Sequence, residues 1–332
     1  MPSMNALTFP ILKLLADGKF HSGEAIAKHF NVSRATIWNA LQHAEQLGIE
    51  VFSVRGRGYK LPQAVTLLDE QAILNAIGEQ SPTFKLELHD YIESTNTYLM
   101  QKVGVHQAHA TCVAAHLQSQ GRGRRGRTWH AGLGASLTFS LLWRFQCGAA
   151  ALSGLSLAIG VALMRTLHEI GVASAQLKWP NDVLIVDRNQ HCEKLAGILI
   201  ELQGDMDGPS AAVIGIGINL KLPTSIKQKI DQPVTDLAQA SAQAIDPNVL
   251  LGTLLKQLAA VLRDFEQNGF SNLRDEWIKH HAYHLQQVRI LMPDGREMVG
   301  IVQGIAEDGT LLVETSNGLQ RFVSGEISLR GV

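Results

Sequence analysis

The stretch Gly121-Arg122-Gly123-Arg124-Arg125-Gly126-Arg127-Thr128-Trp129 constrains this chain more than any other. Four arginines and three glycines fill seven positions before the tryptophan. Glycine permits positive φ and close backbone approach, so the segment reads as a loop able to turn its amides inward as an anion nest. Guanidinium groups add planar forks that grip phosphate or carboxylate in pairs. No acidic residue lies between Glu93 and Glu169, while Lys102, Arg144 and Arg165 add to the loop's charge. In a chain of net charge -1, that clearance suits a polyanion such as ATP.

Two other readings compete. Gly121, Gly123 and Gly126 satisfy the dinucleotide spacing G-x-G-x-x-G, which also requires a following helix and an acid about twenty positions on. Here Trp129 to Gly134 reads as a loop, Ala135 to Trp143 as a strand, and no acid is in range, so that pattern is rejected. A solvated basic loop without a ligand stays open.

A chain of 332 residues with 45% hydrophobic content predicts two or three domains and at least one large core. No apolar run reaches the roughly 20 residues of a membrane span, and Met1 to Pro10 lacks a signal-peptide layout. Ala149 to Leu167, broken by Gly154, Gly160 and Arg165, reads as a buried helix. Cys112, Cys147 and Cys192 are odd in number and widely spaced. They suggest neither disulfides nor a zinc site, and the cytoplasm is the expected compartment.

The N-terminal part reads as helices over Ala6 to Ala16, Gly23 to Phe30 and Arg34 to Leu47, with Ser22 and Ser33 as caps. Ile37, Leu41, Ala44 and Leu47 share one face of the third helix; Arg34, Thr36, Asn39 and His43 are expected to point outward. Val51 to Val54, Arg55-Gly56-Arg57-Gly58 and Tyr59 to Leu61 form a basic hairpin. Together these give a winged helix-turn-helix. Residues 1–62 hold seven Lys/Arg against four Asp/Glu, a balance of +3, and the remainder holds 22 against 26. The basic excess therefore lies in the part assigned to DNA, with Ser33, Arg34, Thr36, Asn39, His43, Arg55 and Arg57 as contacts. A plain three-helix packing module is the alternative, but it leaves the wing arginines without a purpose.

Pro62 to Leu68 reads as a linker, and an α/β unit follows. Thr83 to Tyr91 alternates as a strand, and Ser94-Thr95-Asn96 begins a helix through Met100, as caps or as donors to a ligand. Thr111 to Ala115 leads through Gln118 into the arginine loop. Gln176 to Trp179 is a strand whose end, Lys178-Trp179-Pro180-Asn181-Asp182, leaves Asn181 and Asp182 where α/β sites collect. Lys194 enters the apolar strand Leu195 to Leu202, either as a rim residue reaching for water or as a placed cation. Ala211 to Leu220 is a buried strand whose Gly215 and Gly217 mark close approach. Helices follow over Val249 to Glu266 and Leu273 to His284. The tail has four short strands punctuated by Asp294-Gly295, Asp308-Gly309 and Asn317-Gly318, which predicts a small antiparallel barrel. Expected domains are 1–62, 63–284 and 285–332.

GRGRRGRTW, KWPNDV, KLAGILIEL, GIGIN and the terminal GEISLR resemble bacterial biotin protein ligases, from about Phe20 to Arg330. The winged head makes the chain similar to the bifunctional members that also repress the biotin operon. The resemblance implies a biotin/lipoate ligase-type catalytic domain and an SH3-like barrel. It implies activation of biotin by MgATP to biotinyl-5′-AMP, then transfer to a lysine of the biotin carboxyl carrier protein of acetyl-CoA carboxylase. It further implies a homodimer on operator DNA with biotinyl-5′-AMP as corepressor. The residues carried over are Ser94, Thr95, Asn96 and Gln118 for biotin, and Arg122, Gly123 and Arg124 for the loop over the acyl phosphate. Lys194 falls to the reacting oxygens; Arg125, Asn181, Asp182 and Asn219 to the adenylate side; Asp182 to Mg²⁺. Lys194 and Arg124 would be catalytic. Residues 220–240 contain no aromatic to stack on adenine, and no role attaches to Trp129 through Gly132. A ligase with a non-repressing head, a repressor without ligase activity and a lipoate ligase are the alternatives; KWPND beside GRGRRGR favours biotin.

Overall fold

The computed structural model describes residues 5–104, 108–189, 191–204, 207–292, 294–323 and 328–331. Gly325, Glu326 and Ile327 of the GEISLR motif lie outside them.

Three helices, α1 (Thr8–Leu15), α2 (Gly23–His29) and α3 (Arg34–Gln46), precede the hairpin of β1 (Phe52–Val54) and β2 (Gly58–Lys60). Ser22 and Ser33 accept the amides of Ala25 and Thr36, satisfying donors that a helix start leaves open. Phe9, Leu12, Ile26, Ile37, Leu41 and Ala44 form their own small core. His21 and Tyr59 exchange both backbone hydrogen bonds at 2.9 Å, which ties the wing to the start of α2. Tyr91, Leu117 and Leu133 pack against the same core, and Lys13 pairs with Asp90 at 2.6 Å. The head thus rests on the central sheet.

The central elements are α4 (Glu70–Ile77), β3 (Lys85–Ile92), α5 (Thr95–Lys102), β4 (Thr111–Gln118), β5 (Ser136–Phe145), α6 (Leu155–Glu169), β6 (Ala175–Lys178), β7 (Asp182–Val186), β8 (Cys192–Gly204) and β9 (Ser210–Asn219). After them come α7 (Thr224–Lys227), α8 (Leu237–Ala240), α9 (Pro247–Asn268) and α10 (Ser271–Lys279). The strands form one sheet in the order β3-β4-β5-β9-β8-β7-β6, antiparallel except for β3 beside β4. Strand parity divides its faces. Leu137, Phe139, Leu141, Ile214 and Ile216 turn toward α6 and α9 in the main core. Thr138, Ser140, Gly215 and Gly217 turn the other way, on the side where α5 packs. That second face carries the site.

Two local expectations change. The sequence reading passes from linker to strand across α4, whose short apolar face (Ile73, Ile77) becomes meaningful only against α9. The last long helix ends at Lys279 rather than His284. Leu177 donates to the His280 carbonyl and accepts from the Ala282 amide, both at 2.8 Å, so the edge of β6 takes the backbone groups that a continuing helix would need. Ala149–Glu169 is the one helical stretch among the described residues long and apolar enough to cross a membrane. Here it lies largely buried, as expected, against α9 and the sheet.

The small antiparallel unit comprises β10 (Gln287–Leu291), β11 (Glu297–Ile305), β12 (Leu311–Thr315), β13 (Gly318–Phe322) and β14 (Ser328–Gly331), in the order β13-β12-β11-β10-β14. Gly295, Gly309 and Gly318 adopt positive φ at its turns. β14 is a fifth strand, beyond the four expected.

His281, 6% exposed, sits in the turn that follows α10. Its ring lies 4.7 Å from that of Trp277, and neither ring nitrogen has a hydrogen-bond partner among the described residues. Burial, aided by His284, depresses its pKa to about 3. The folded chain therefore refuses a proton that the unfolded chain accepts near pH 6.5. This contribution to stability is fully present above that pH and is lost as pH falls toward 3, by about 1.4 kcal/mol per pH unit. His281→Phe should lower the slope of unfolding free energy between pH 6 and 4 by about one proton; an unchanged slope in denaturant titrations would refute this.

Candidate functional site

A cavity of about 440 Å³ opens on the α5 side of the sheet and gathers residues far apart in sequence. Its polar wall begins at the start of α5. Ser94 caps that helix by accepting the Thr97 amide at 3.4 Å. The Thr95 amide and hydroxyl lie 2.8 and 3.1 Å from Gln118 Oε1, and the hydroxyl lies 2.7 Å from Ser140 Oγ. With Oε1 engaged, Gln118 presents its Nε2 as a donor. Ser140, which the sequence reading missed, donates to Asn96 Oδ1 at 2.5 Å. Asn96 donates in turn to Glu201 Oε2 at 3.0 Å and to the Leu199 carbonyl at 3.3 Å. Both ends of its amide are thus engaged inside the wall. A Cβ on Gly215 would stand 2.2 Å from Asn96 Oδ1, which explains that glycine.

The arginine loop is a small hairpin. Gly123 donates to the Arg127 carbonyl at 2.7 Å, and Trp129 to that of Gly121 at 2.8 Å. Arg125 and Gly126 make the turn with φ of 56° and 71°, and no helix of the dinucleotide kind follows. Two side chains fasten the loop to the sheet. Arg122 pairs with Glu201, and Arg124 donates to Asn181 Oδ1 at 3.0 Å. Asn181 is itself fixed to β8 through the Ile198 amide and carbonyl, both at 2.9 Å. Burial and the neighbouring Arg125 hold the Arg124 guanidinium below its ordinary pKa, while Asp182 opposes them. Trp129 returns to the cavity. A Cβ on Gly217 would lie 2.4 Å from its ring, so that glycine makes room for it, while one on Gly197 would lie 3.2 Å from the Lys194 side chain. The tryptophan left without a role therefore supplies an aromatic wall.

Lys194 faces the same space. A bulge in β8 pairs Val183 with Ala196 but Leu184 with Lys194, so Leu195 and Ala196 both enter the core. That extra residue brings Lys194 to the side of Gly197. Its ammonium lies 2.7 Å from Asp182 Oδ1 and 5.8 Å from the Trp129 ring centroid. The two side chains are 16% and 17% exposed, so Lys194 is a placed cation rather than a rim residue. Asn219 donates to the carbonyls of Thr235 at 2.9 Å and Lys194 at 3.3 Å. It thereby holds the segment Ile230–Val234, which covers the cavity without an aromatic. No group of three His, Cys, Asp or Glu side chains among the described residues forms a metal cage, and Asp182 already carries Lys194. The donor set does not fit a protein-built metal site.

In the head, Arg34, Asn39, Arg55 and Arg57 are exposed, and the Arg57 guanidinium lies 4.1 Å over the Phe20 ring. Ser33 and Thr36 bond each other at 2.8 Å at the start of α3. His43 departs from expectation: its Nδ1 lies 3.4 Å from Thr8 Oγ1. Seven residues beyond Thr36, it returns to the edge of α3 that packs on α1.

The Arg122–Glu201 pair is partly solvated and worth about 1 kcal/mol or less, yet it closes the loop onto β8. Glu201→Gln should therefore speed tryptic cleavage within residues 122–127 several-fold while global thermal unfolding stays unchanged. Equal cleavage rates would mean that the pair does not hold the loop.

Three family models match the chain: the biotin/lipoate A/B protein ligase family over residues 88–219, an HTH domain over 8–60 and the biotin protein ligase C terminal domain over 286–330. The bifunctional ligase/repressor BirA of Salmonella typhimurium is 38% identical over 329 residues, covering 98% of this chain and 99% of that protein. BirA of Escherichia coli is 36% identical over 326 residues, 98% of each. The solved structure of biotin protein ligase from Aquifex aeolicus in complex with biotin and ATP matches with a TM-score of 0.62 at 28% identity, covering 75% of this chain and 99% of that one. A ligase-type sheet, an arginine loop facing a lysine, a winged head and a small antiparallel C-terminal unit are all explained by one ancestry: the chain belongs to the family of bifunctional BirA ligase/repressors.

Proposed function

We propose that this chain activates biotin with ATP, transfers it to the biotin carboxyl carrier protein of acetyl-CoA carboxylase, and represses biotin-operon transcription through its head. The observation that carries the reading is the convergence of Lys194, the arginine loop and the Gln118–Thr95–Ser140–Asn96 wall in one cavity. In the first step a biotin carboxylate oxygen attacks the α-phosphorus of ATP, and pyrophosphate leaves. In the second a carrier lysine attacks the acyl carbon of biotinyl-5′-AMP, and AMP leaves. The first step brings two anions together and the second releases one, so fixed cations act by positioning and electrostatic stabilisation.

Gln118, Thr95 and Ser140 are suited to the polar ureido end of biotin, and Asn96 keeps that wall in shape. Lys194 would hold the reacting carboxylate, with Arg124 and Arg122 over the phosphate. Asp182 would keep the Lys194 ammonium aimed, and Asn181 would keep Arg124 in place. Trp129 offers the ring that residues 220–240 lack. Mg²⁺ would enter with the nucleotide as MgATP, neutralising phosphate charge when bound; Asp182, the expected ligand, is engaged by Lys194 instead. The division into units at about residues 62 and 284, a cytoplasmic setting and a homodimer formed on biotinyl-5′-AMP belong to the same proposal.

The test is to incubate the full chain with biotin, ATP, Mg²⁺ and a carrier domain and to weigh the carrier. A mass increase of one biotin supports the ligase; none removes it. A protected site upstream of biotin genes, dependent on biotin and ATP, separates the repressor from a ligase whose head is silent. Lys194→Ala should cut adenylate synthesis by roughly two to three powers of ten. It should also lower stability by up to about 3 kcal/mol, because it strands Asp182. Adding Asp182→Asn should recover part of that stability and none of the rate. Near-normal adenylate synthesis by Lys194→Ala would return the lysine to a structural role.

A further inference from the structure

Trp38 has no place in the packing of the head, yet it is 53% exposed on α3. Ile37, Ala40, Leu41 and Ala44 form the buried side of that helix. Trp38 projects from the flank of the helix, roughly a third of a turn from that side, one turn after Arg34 and one turn before Gln42, with Asn39 beside it. A helix gains nothing in its own stability from an exposed indole, and water solvates the ring poorly. The surroundings identify the occupant. Arg34 is exposed one turn before Trp38, Arg55 and Arg57 are exposed on the wing, and residues 1–62 hold seven basic against four acidic residues. A polyanion is complementary to that charge, and an exposed apolar ring among it needs an apolar feature on the polyanion.

In a DNA major groove that feature is the C5 methyl group of thymine, since the other groove-facing groups of the bases are hydrogen-bond donors and acceptors. We infer that Trp38 is a specificity-determining residue that packs its indole on a thymine methyl in each half-site, while Arg34 and the wing arginines engage phosphates. This rests on the DNA-binding part of the proposed function. It assigns base discrimination to an apolar contact rather than to a hydrogen bond.

The test begins with the full-length chain, biotin, ATP and Mg²⁺, and a pool of random-sequence duplexes from which the retained DNA is selected. The selected duplex is then resynthesised with each thymine in turn replaced by deoxyuridine, which removes the methyl and leaves the pairing edge. One position per half-site should lose about four-fold in affinity for the wild type, the value of one buried methyl group. Trp38→Ala should bind the parent duplex more weakly and show no difference between thymine and deoxyuridine there. Trp38→Phe should keep part of the difference. Adenylate synthesis and thermal unfolding should match wild type in both variants, because the side chain lies outside the cavity and the core. Retained DNA with no methyl-sensitive thymine, or equal sensitivity in Trp38→Ala, overturns the assignment while leaving DNA binding intact. Failure to retain any duplex overturns the DNA-binding reading and this inference with it.

Discussion

The pairing of Lys194 with Asp182 is the interaction on which the site depends. A lysine largely withdrawn from water, next to the core residues Leu195 and Ala196, is costly unless its charge is matched. Here β7 supplies the carboxylate from the turn that carries Trp179, Pro180 and Asn181. That turn is anchored from both directions: Trp179 is buried and donates to the Gly309 carbonyl at 3.1 Å, and Asn181 bonds β8. The C-terminal unit therefore buttresses the segment that aims the lysine.

Opposite the lysine, the arginine loop is fastened by the chain's own side chains. Arg124 reaches Asn181 and Arg122 reaches Glu201, so both cations are already aimed across the cavity. Closing a flexible loop over a ligand costs conformational entropy, and these two contacts meet part of that cost in the fold itself. Glu201 also accepts from Asn96, so one carboxylate links the loop to the wall built from α5 and β5. The carboxylates absent from the sequence around the loop are thus replaced by single acids brought in from β7 and β8, each matched to one cation.

The head is joined to this machinery through packed side chains. Leu117 belongs to the head's core, and the next residue is Gln118 of the cavity wall. Val65 of the linker packs against Gly134, where a Cβ would stand 2.4 Å from it, just beyond the arginine loop. The head's core and the sheet that carries the cavity therefore share a contiguous apolar layer.

Much of this was legible in the residues. Caps, turn dipeptides and alternating apolar runs report local backbone preferences, and they marked the helix-turn-helix, most strands and the hairpins of the tail. The arginine loop and the strand-end Asn181 and Asp182 were legible as chemistry because charge this dense is seldom accidental. What the sequence left open was direction. Strand parity alone puts Lys194 on the face opposite Gly197; only the bulge against β7 brings the two together. Ser140, Glu201 and Trp129 gave no local signal, because their partners lie 44, 105 and 88 positions away, on Asn96, Asn96 and Gly217. His43 looked outward on a helical wheel until α1 covered that edge. Sequence by itself determined which segments fold as what and which charges must find partners. Only tertiary structure decided which partners they find, because those contacts depend on register and packing between segments that local preference cannot relate.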